Sequence, residues 1–293
     1  MAKSKLILAK NEIFSLFSKS PGKIYSHTQL ATILRENRTR WNLAAYTRFQ
    51  DFTSFLTKQG NLHAHKFRSK TYGQEITRYS WGKPPILEII LSLKPRAYLS
   101  HATAAMLHGL IESNEKIIYL NAEQSAKQPN QEPLSQEGIK RAFSSKPRQS
   151  KLIYAYDGFS IVMVAGKNTK NMGVEKIETQ ESKSLQITNL ERTLIDIVVR
   201  PIYAGGPHRL FEAYRAAKND MSIDRLLILL KNLGYLYPYH QAIGFLMQRA
   251  GYSNNSYDKI RALGLNYDFY LANGIKDPEY SEEWRLFYPK NLH

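Results

Sequence analysis

The spacing of apolar positions changes several times along the chain. Leu6, Ile13, Phe14 and Phe17 fall at helical intervals and predict a first helix over 5–18. PGK at 21–23 breaks it. In SHTQLATILREN, Ser26 and Gln29 stand three apart ahead of Leu30, Ile33 and Leu34, the pattern of a capping box that opens a helix. A third apolar face, Ala45, Phe49, Phe52 and Leu56, predicts a helix near 43–59 that stops at Gly60. The pattern then turns strand-like. LHAHKFR (62–68) and EITRYSWG (75–82) read as strands joined by SKTYGQ. Three helices followed by a hairpin is the order of a winged helix-turn-helix, whose third helix enters the major groove while the hairpin follows the backbone. KPP at 83–85 marks the expected boundary, giving a DNA-binding domain at 1–83 and a second domain at 84–293.

Past that boundary the chain is mixed. PILEIILSL and ATAAMLHGL read as short helices, the second capped by Ser100, and KIIYLNAE (116–123) reads as a strand. NAEQSAKQPNQEPLSQEG is polar and loop-like, and IKRAFSS is a turn or two of helix. KLIYAYDGFSIVMVAG predicts a hairpin that reverses at Asp157-Gly158, a favoured turn dipeptide. VEKIETQ and SLQIT are further strands. Helices are expected at 189–199, 207–218, 222–233 and 238–250, with a short one near 255–263. The aromatic tail should pack on this domain. The fold class is therefore mixed α/β, with a larger C-terminal α/β domain and a helical end.

Charge sharpens the picture. The 41 Lys and Arg outnumber the 25 Asp and Glu, a formal net charge of +16. Residues 1–83 hold 15 of these cations against 4 acids, while 84–293 hold 26 against 21. A basic module joined to a near-neutral domain points to nucleic acid or an acidic partner. The candidate DNA contacts are Arg38, Arg40, Trp41, Tyr46, Thr47, Arg48 and Gln50 around the third helix, with Lys66, Arg68, Lys70 and Arg78 on the hairpin. His63 and His65 share a strand face beside them.

The absence of cysteine excludes disulfides, cysteine-based zinc sites and thiol catalysis. No apolar run approaches the ~20 residues of a membrane span. The N-terminus lacks the apolar core of a signal peptide, so a cytoplasmic protein without membrane contact is expected. His101 and His108 are seven apart with no third ligand nearby, and neither a metal nor another cofactor is expected. There is no Walker-type loop and no nucleophile elbow.

ITNLERTLID carries three charges among apolar residues. Thr188 and Glu191 have capping-box spacing, and Arg192 and Asp196 have the i,i+4 spacing of a helix-surface ion pair. That accounts for each charge structurally, and a protein without enzymatic activity is expected. An alternative is a metal-dependent nuclease or nucleic-acid-modifying enzyme. There Asp157 and Glu181 would hold a cation and Lys183 would stabilise phosphate charge. A third reading is a transcription factor whose larger domain senses a ligand.

RYSWGKPP, AYLSHATAAMLHGL, IYLNAEQSAK, LSQEGIKRAF, ITNLERTLIDIVVRPIYAGG, YPYHQAIGFLMQRAGY and WRLFYPK occur in that order over 79–293. Together they resemble the AbiEi antitoxins of bacterial type IV toxin–antitoxin (abortive infection) systems. Within 1–78 the likeness rests on FTSFLTKQGNL and the basic hairpin, where SKTYGQ stands in place of the family's shorter Arg-Gly turn. The resemblance implies an N-terminal winged helix that represses its own operon by binding promoter DNA. It also implies a C-terminal domain that counteracts a nucleotidyltransferase-like toxin, and it brings no catalytic residues with it.

Overall fold

The computed structural model describes residues 5–112, 114–126, 133–182 and 184–292. In place of one first helix it has two, α1 (Lys5–Leu8) and α2 (Lys10–Lys19). Hydrogen bonds continue across the break at Ala9, whose N–H donates to the Lys5 carbonyl at 3.1 Å, so Leu6 stays on the same core as Ile13 and Phe17. A short strand, β1 (Ile24–Ser26), leads into α3 (His27–Asn37). The expected capping box is made: Ser26 Oγ accepts from the Gln29 N–H at 3.2 Å, and Gln29 Oε1 accepts from the Ser26 N–H at 2.7 Å.

The third helix, α4 (Phe49–Gln59), begins later than the expected residue 43. The chain before it has another task. Trp41 and Leu43 enter the core, and Ala45, expected on the apolar face, is exposed. Strands β2 (Leu62–Ser69) and β3 (Glu75–Trp81) then pair antiparallel, from Leu62 opposite Trp81 to Arg68 opposite Glu75.

The next elements alternate: α5 (Ile86–Leu91), β4 (Tyr98–Leu99), α6 (His101–Leu107), β5 (Ile117–Asn121) and α7 (Gln136–Ser144). β6 (Ile153–Tyr156) and β7 (Phe159–Val164) form the expected hairpin, with Asp157 at φ 47° and Gly158 at φ 77° in its turn. β8 (Val174–Ile177) and β9 (Leu185–Thr188) follow. Among the described residues the main sheet has nine strands in the order β1-β3-β2-β6-β7-β5-β4-β9-β8. It runs through residue 83 without a gap, because β2 pairs antiparallel with β6.

The rest is largely helical: α8 (Leu190–Val199), α9 (Pro207–Ala216), α10 (Ile223–Leu233), α11 (Tyr239–Arg249) and α12 (Asn254–Arg261). The tail forms a small sheet of β10 (Phe269–Tyr270), β11 (Pro278–Ser281) and β12 (Leu286–Pro289). As expected, it packs on the helices: Trp284 is fully buried and joins their core. A second core joins α5 to one face of the sheet, and a third lies among α1–α4. The molecule is mixed α/β, and none of its described helices is long and apolar enough to cross a membrane.

Helix α8 corrects the reading of ITNLERTLID. Its N-cap is Asn189, whose Oδ1 accepts from the Arg192 N–H at 2.9 Å, so the cap lies one residue past Thr188. Thr188 Oγ1 lies 2.8 Å from Thr193 Oγ1 instead. Glu191 reaches away from its own helix start, accepting from the Ser222 N–H at 2.9 Å. The Arg192–Asp196 pair forms as its spacing implies, with Nε donating to Oδ1 at 2.8 Å. It lies inside the protein, however, because every residue from Glu191 to Val198 is buried.

Candidate nucleic-acid interface

The two faces of the β2–β3 hairpin have different jobs. Opposite residues on antiparallel strands share a face. Leu62 with Trp81 and Ala64 with Tyr79 therefore lie on one side, where Leu62, Trp81 and Tyr79 meet the α1–α4 core. Further out on that side come Lys66 opposite Thr77 and Arg68 opposite Glu75. The other side carries His65 opposite Arg78 and Phe67 opposite Ile76, and Phe67 and Ile76 pack into the second core.

This division sorts the candidate residues. Arg78 lies on the inner side, where its guanidinium donates to the Ser92 and Leu93 carbonyls at 2.8 and 2.9 Å. It terminates α5 rather than facing solvent. His65 is held between Tyr156 Oη at 2.7 Å and Ser80 Oγ at 2.8 Å. Burial and then the neighbouring His63 lower its pKa, so it is not a ready phosphate contact. His63 pairs with Asn61 Oδ1 at 3.0 Å.

Two residues ahead of α4 are also taken up by structure. Trp41 is 3% exposed and stacks on Phe52. Arg38 donates to the carbonyls of Ala44, Ala45 and Thr47 at 2.6, 2.8 and 3.0 Å, folding the loop that leads to α4. Sequence spacing placed both in a basic, aromatic run but did not reveal these inward contacts. Trp41, Arg38 and Arg78 thus leave the candidate interface.

What remains faces outward. Tyr46 is 86% exposed, Thr47 is half-buried, and Arg48 and Gln50 are exposed at the start of α4. The Arg48 N–H donates to Asp51 Oδ2 at 3.1 Å, fixing the start of α4, and its side chain is exposed. Gln50, Ser54, Thr57 and Lys58 form the solvent stripe of the helix, opposite buried Phe52, Phe55 and Leu56. Lys58 was missed in the sequence, although its distance from Gln50 and Ser54 is helical. Arg40 lies 3.8 Å from Glu12 at the mouth of a cleft of about 620 Å³ along α2.

On the hairpin, Lys66 and Arg68 both lie 3.3 Å from Glu75, so one carboxylate faces two cations. Lys70 donates to the neutral Ser160 Oγ at 2.7 Å and has no acidic partner among the described residues. The arrangement has a helix with a polar stripe and a row of cations on the same side of one sheet. Such a surface can neutralise phosphates along a nucleic-acid backbone.

The alternative metal site is not assembled. β5 is parallel to β7 and antiparallel to β4, while β4 is parallel to β9. Asp157, just before β7, and Glu181, before β9, therefore sit at opposite ends of the sheet. Three strand spacings, ~14 Å, also separate β7 from β9. Lys183 lies outside the described residues, among which no group of three or more His, Asp or Glu could hold a metal ion. His101 is buried against Tyr203, and His108 Nε2 lies 2.7 Å from the Thr188 carbonyl oxygen.

No known family profile matches the chain, and no curated protein does. Among solved structures it is similar to the crystal structure of the RV2827C protein from Mycobacterium tuberculosis. The two are 14% identical, with a TM-score of 0.58 over 96% of this chain and 91% of that one. At that identity the likeness is one of fold.

Proposed function

We propose that residues 1–83 act as a winged helix-turn-helix that binds duplex DNA, with α4 in the major groove and the β2–β3 hairpin along the backbone. The observation that carries this reading is the placement of α4's solvent stripe and of Lys66, Arg68 and Lys70 on one side of the same sheet. The element order α2-β1-α3-α4-β2-β3 supports it. In this reading Arg48, Gln50 and Tyr46 face base edges or their flanks, and Arg40 and the hairpin cations meet phosphates.

The larger biological role follows from the resemblance over 79–293. The protein is an antitoxin without enzymatic activity that represses its own promoter and counteracts a nucleotidyltransferase-like toxin. The buried ion pair of α8 and the separation of Asp157 from Glu181 support a structural role for those charges. A promoter–reporter assay combined with toxin co-expression tests the two halves of the role. Full-length protein should repress the reporter and restore growth, and Arg48→Ala should lose repression while retaining growth rescue. Repression by the variant equal to wild type contradicts the assignment of α4. Failure of the wild type to restore growth contradicts the antitoxin role.

A further inference from the structure

The sheet face that carries Lys66 and Arg68 continues beyond the hairpin. β2 pairs with β6 so that Arg68 lies opposite Ala155, and β6 pairs with β7 so that Ala155 lies opposite Ser160. Glu75, Arg68, Ala155 and Ser160 thus form one row across four adjacent strands, all on the side of α4. Farther along, Val162 and Val164 of that face are covered by Tyr203. Next to the hairpin cations this face carries two small side chains, Ala155 and Ser160, before Ile153 and Val162 begin the patch under Tyr203.

The result is a shallow groove of about 350 Å³ whose cationic side is Lys66, Arg68 and Lys70. Lys116 adds a fourth cation at its end, beside Gly158. Glu75 and Asp157 are the acids among the groove's residues and their strand partners, leaving cations in surplus. Among the described residues the Lys70 ammonium donates to the Ser160 hydroxyl, a neutral group that a phosphate oxygen can replace as acceptor.

Resting on the DNA-binding reading above, we infer that this groove holds the phosphodiester backbone of the same duplex. The second half of the chain, through Ser160 and Lys116, is then part of the DNA-binding surface. A backbone strand suits a small-residue floor flanked by cations, and no base-reading group is needed there. The fit is to DNA continuing past the hairpin, since β6 and β7 extend the sheet outward from β2.

Salt-dependent titration of full-length protein on its promoter duplex tests the inference, with melting curves to confirm that each variant is folded. Lys70→Ala should reduce the magnitude of the log–log salt slope by about 1, as expected for one lost phosphate contact. Ser160→Asp should weaken binding by roughly tenfold or more, and Ser160→Lys should strengthen it, because the first adds a like charge to the phosphate and the second an opposite one. Wild-type affinity and slope in all three overturn the inference. If Arg48→Ala still weakens binding in that case, the DNA-binding reading survives without it. If Arg48→Ala is also silent, both fail. Preferential displacement of the duplex by single-stranded RNA, abolished by Ser160→Asp, would assign the groove to RNA and contradict the DNA assignment.

Discussion

Arg192 and Asp196 are 3% and 4% exposed, so neither charge has water to fall back on. Burial pushes the Asp196 carboxyl above the ordinary range, and Arg192 opposes that shift. The guanidinium also donates to the Met172 carbonyl at 2.5 Å. Arg192→Ala removes those bonds and strands a buried carboxyl, which should cost about 3–5 kcal/mol in urea unfolding. A cost of a few tenths, as for an exposed i,i+4 pair, would show the site to be open to water. His101 makes a different demand. It sits at φ 51°, with Nδ1 2.8 Å from Ser100 Oγ. Burial, and then Arg192 and Arg200, lower its pKa from 6.5 to about 3. The unfolded chain binds a proton below pH 6.5 that the folded chain refuses, so stability must fall as pH drops from 6.5 towards 3. The slope from this group approaches about 1.4 kcal/mol per pH unit. His101→Asn, which tolerates the left-handed backbone, should flatten that limb of a stability–pH curve. An unchanged limb contradicts the assignment to His101.

At the scale of elements, the tail is held by a close contact on α11. A Cβ on Gly244 would stand 2.1 and 2.2 Å from ring atoms of Trp284, whose Nε1 donates to Gln248 Oε1 at 2.5 Å. Gln241 Nε2 donates to the Trp284 and Tyr267 carbonyls at 2.8 and 2.9 Å. Gly244→Ala must displace the indole, and thermal melts should show a loss of 1–3 kcal/mol or more, the usual cost of ~1–3 for overpacking being a floor. A neutral result would mean that Trp284 is not seated there. Neither contact was legible in the sequence, which placed the tail on the domain but offered no partner for Trp284. The Ser26–Gln29 capping box and the Asp157-Gly158 turn were legible because each depends on neighbours within four residues. The start of α4 was not, because Trp41 and Arg38 draw the preceding loop inward through contacts that periodicity does not encode. Likewise an i,i+4 pair has the same spacing on a surface helix and on α8, which is covered all round.

Across the whole molecule, the hairpin is shared property. One of its faces completes the core of α1–α4, the other buries Phe67 and Ile76 with α5 and Tyr156, and its edge pairs with β6. The charge asymmetry and KPP marked a boundary in sequence, but strand pairing across it was invisible there because β2 and β6 are far apart in the chain. Phe67 is fully buried 4.4 Å from the Tyr156 ring, so Phe67→Ala should cost about 3–5 kcal/mol. Calorimetry of the full chain should show this loss in a single shared transition. Two separate transitions, with only one displaced, would mean that the halves unfold independently.

The central claim is that α4 and the hairpin grip DNA through charges that face one side. Its most direct test is the affinity of the full chain for its own promoter duplex across a salt series, compared with a variant carrying Arg40→Ala, Arg48→Ala and Lys66→Ala together. These three side chains are exposed, so the variant should fold as wild type does. The wild type should bind with a steep inverse dependence on salt, and the variant should lose about two units of that log–log slope, one each for Arg40 and Lys66, along with most of its preference for the promoter sequence, which Arg48 reads. Equal affinity and equal slope for the two proteins would contradict the account.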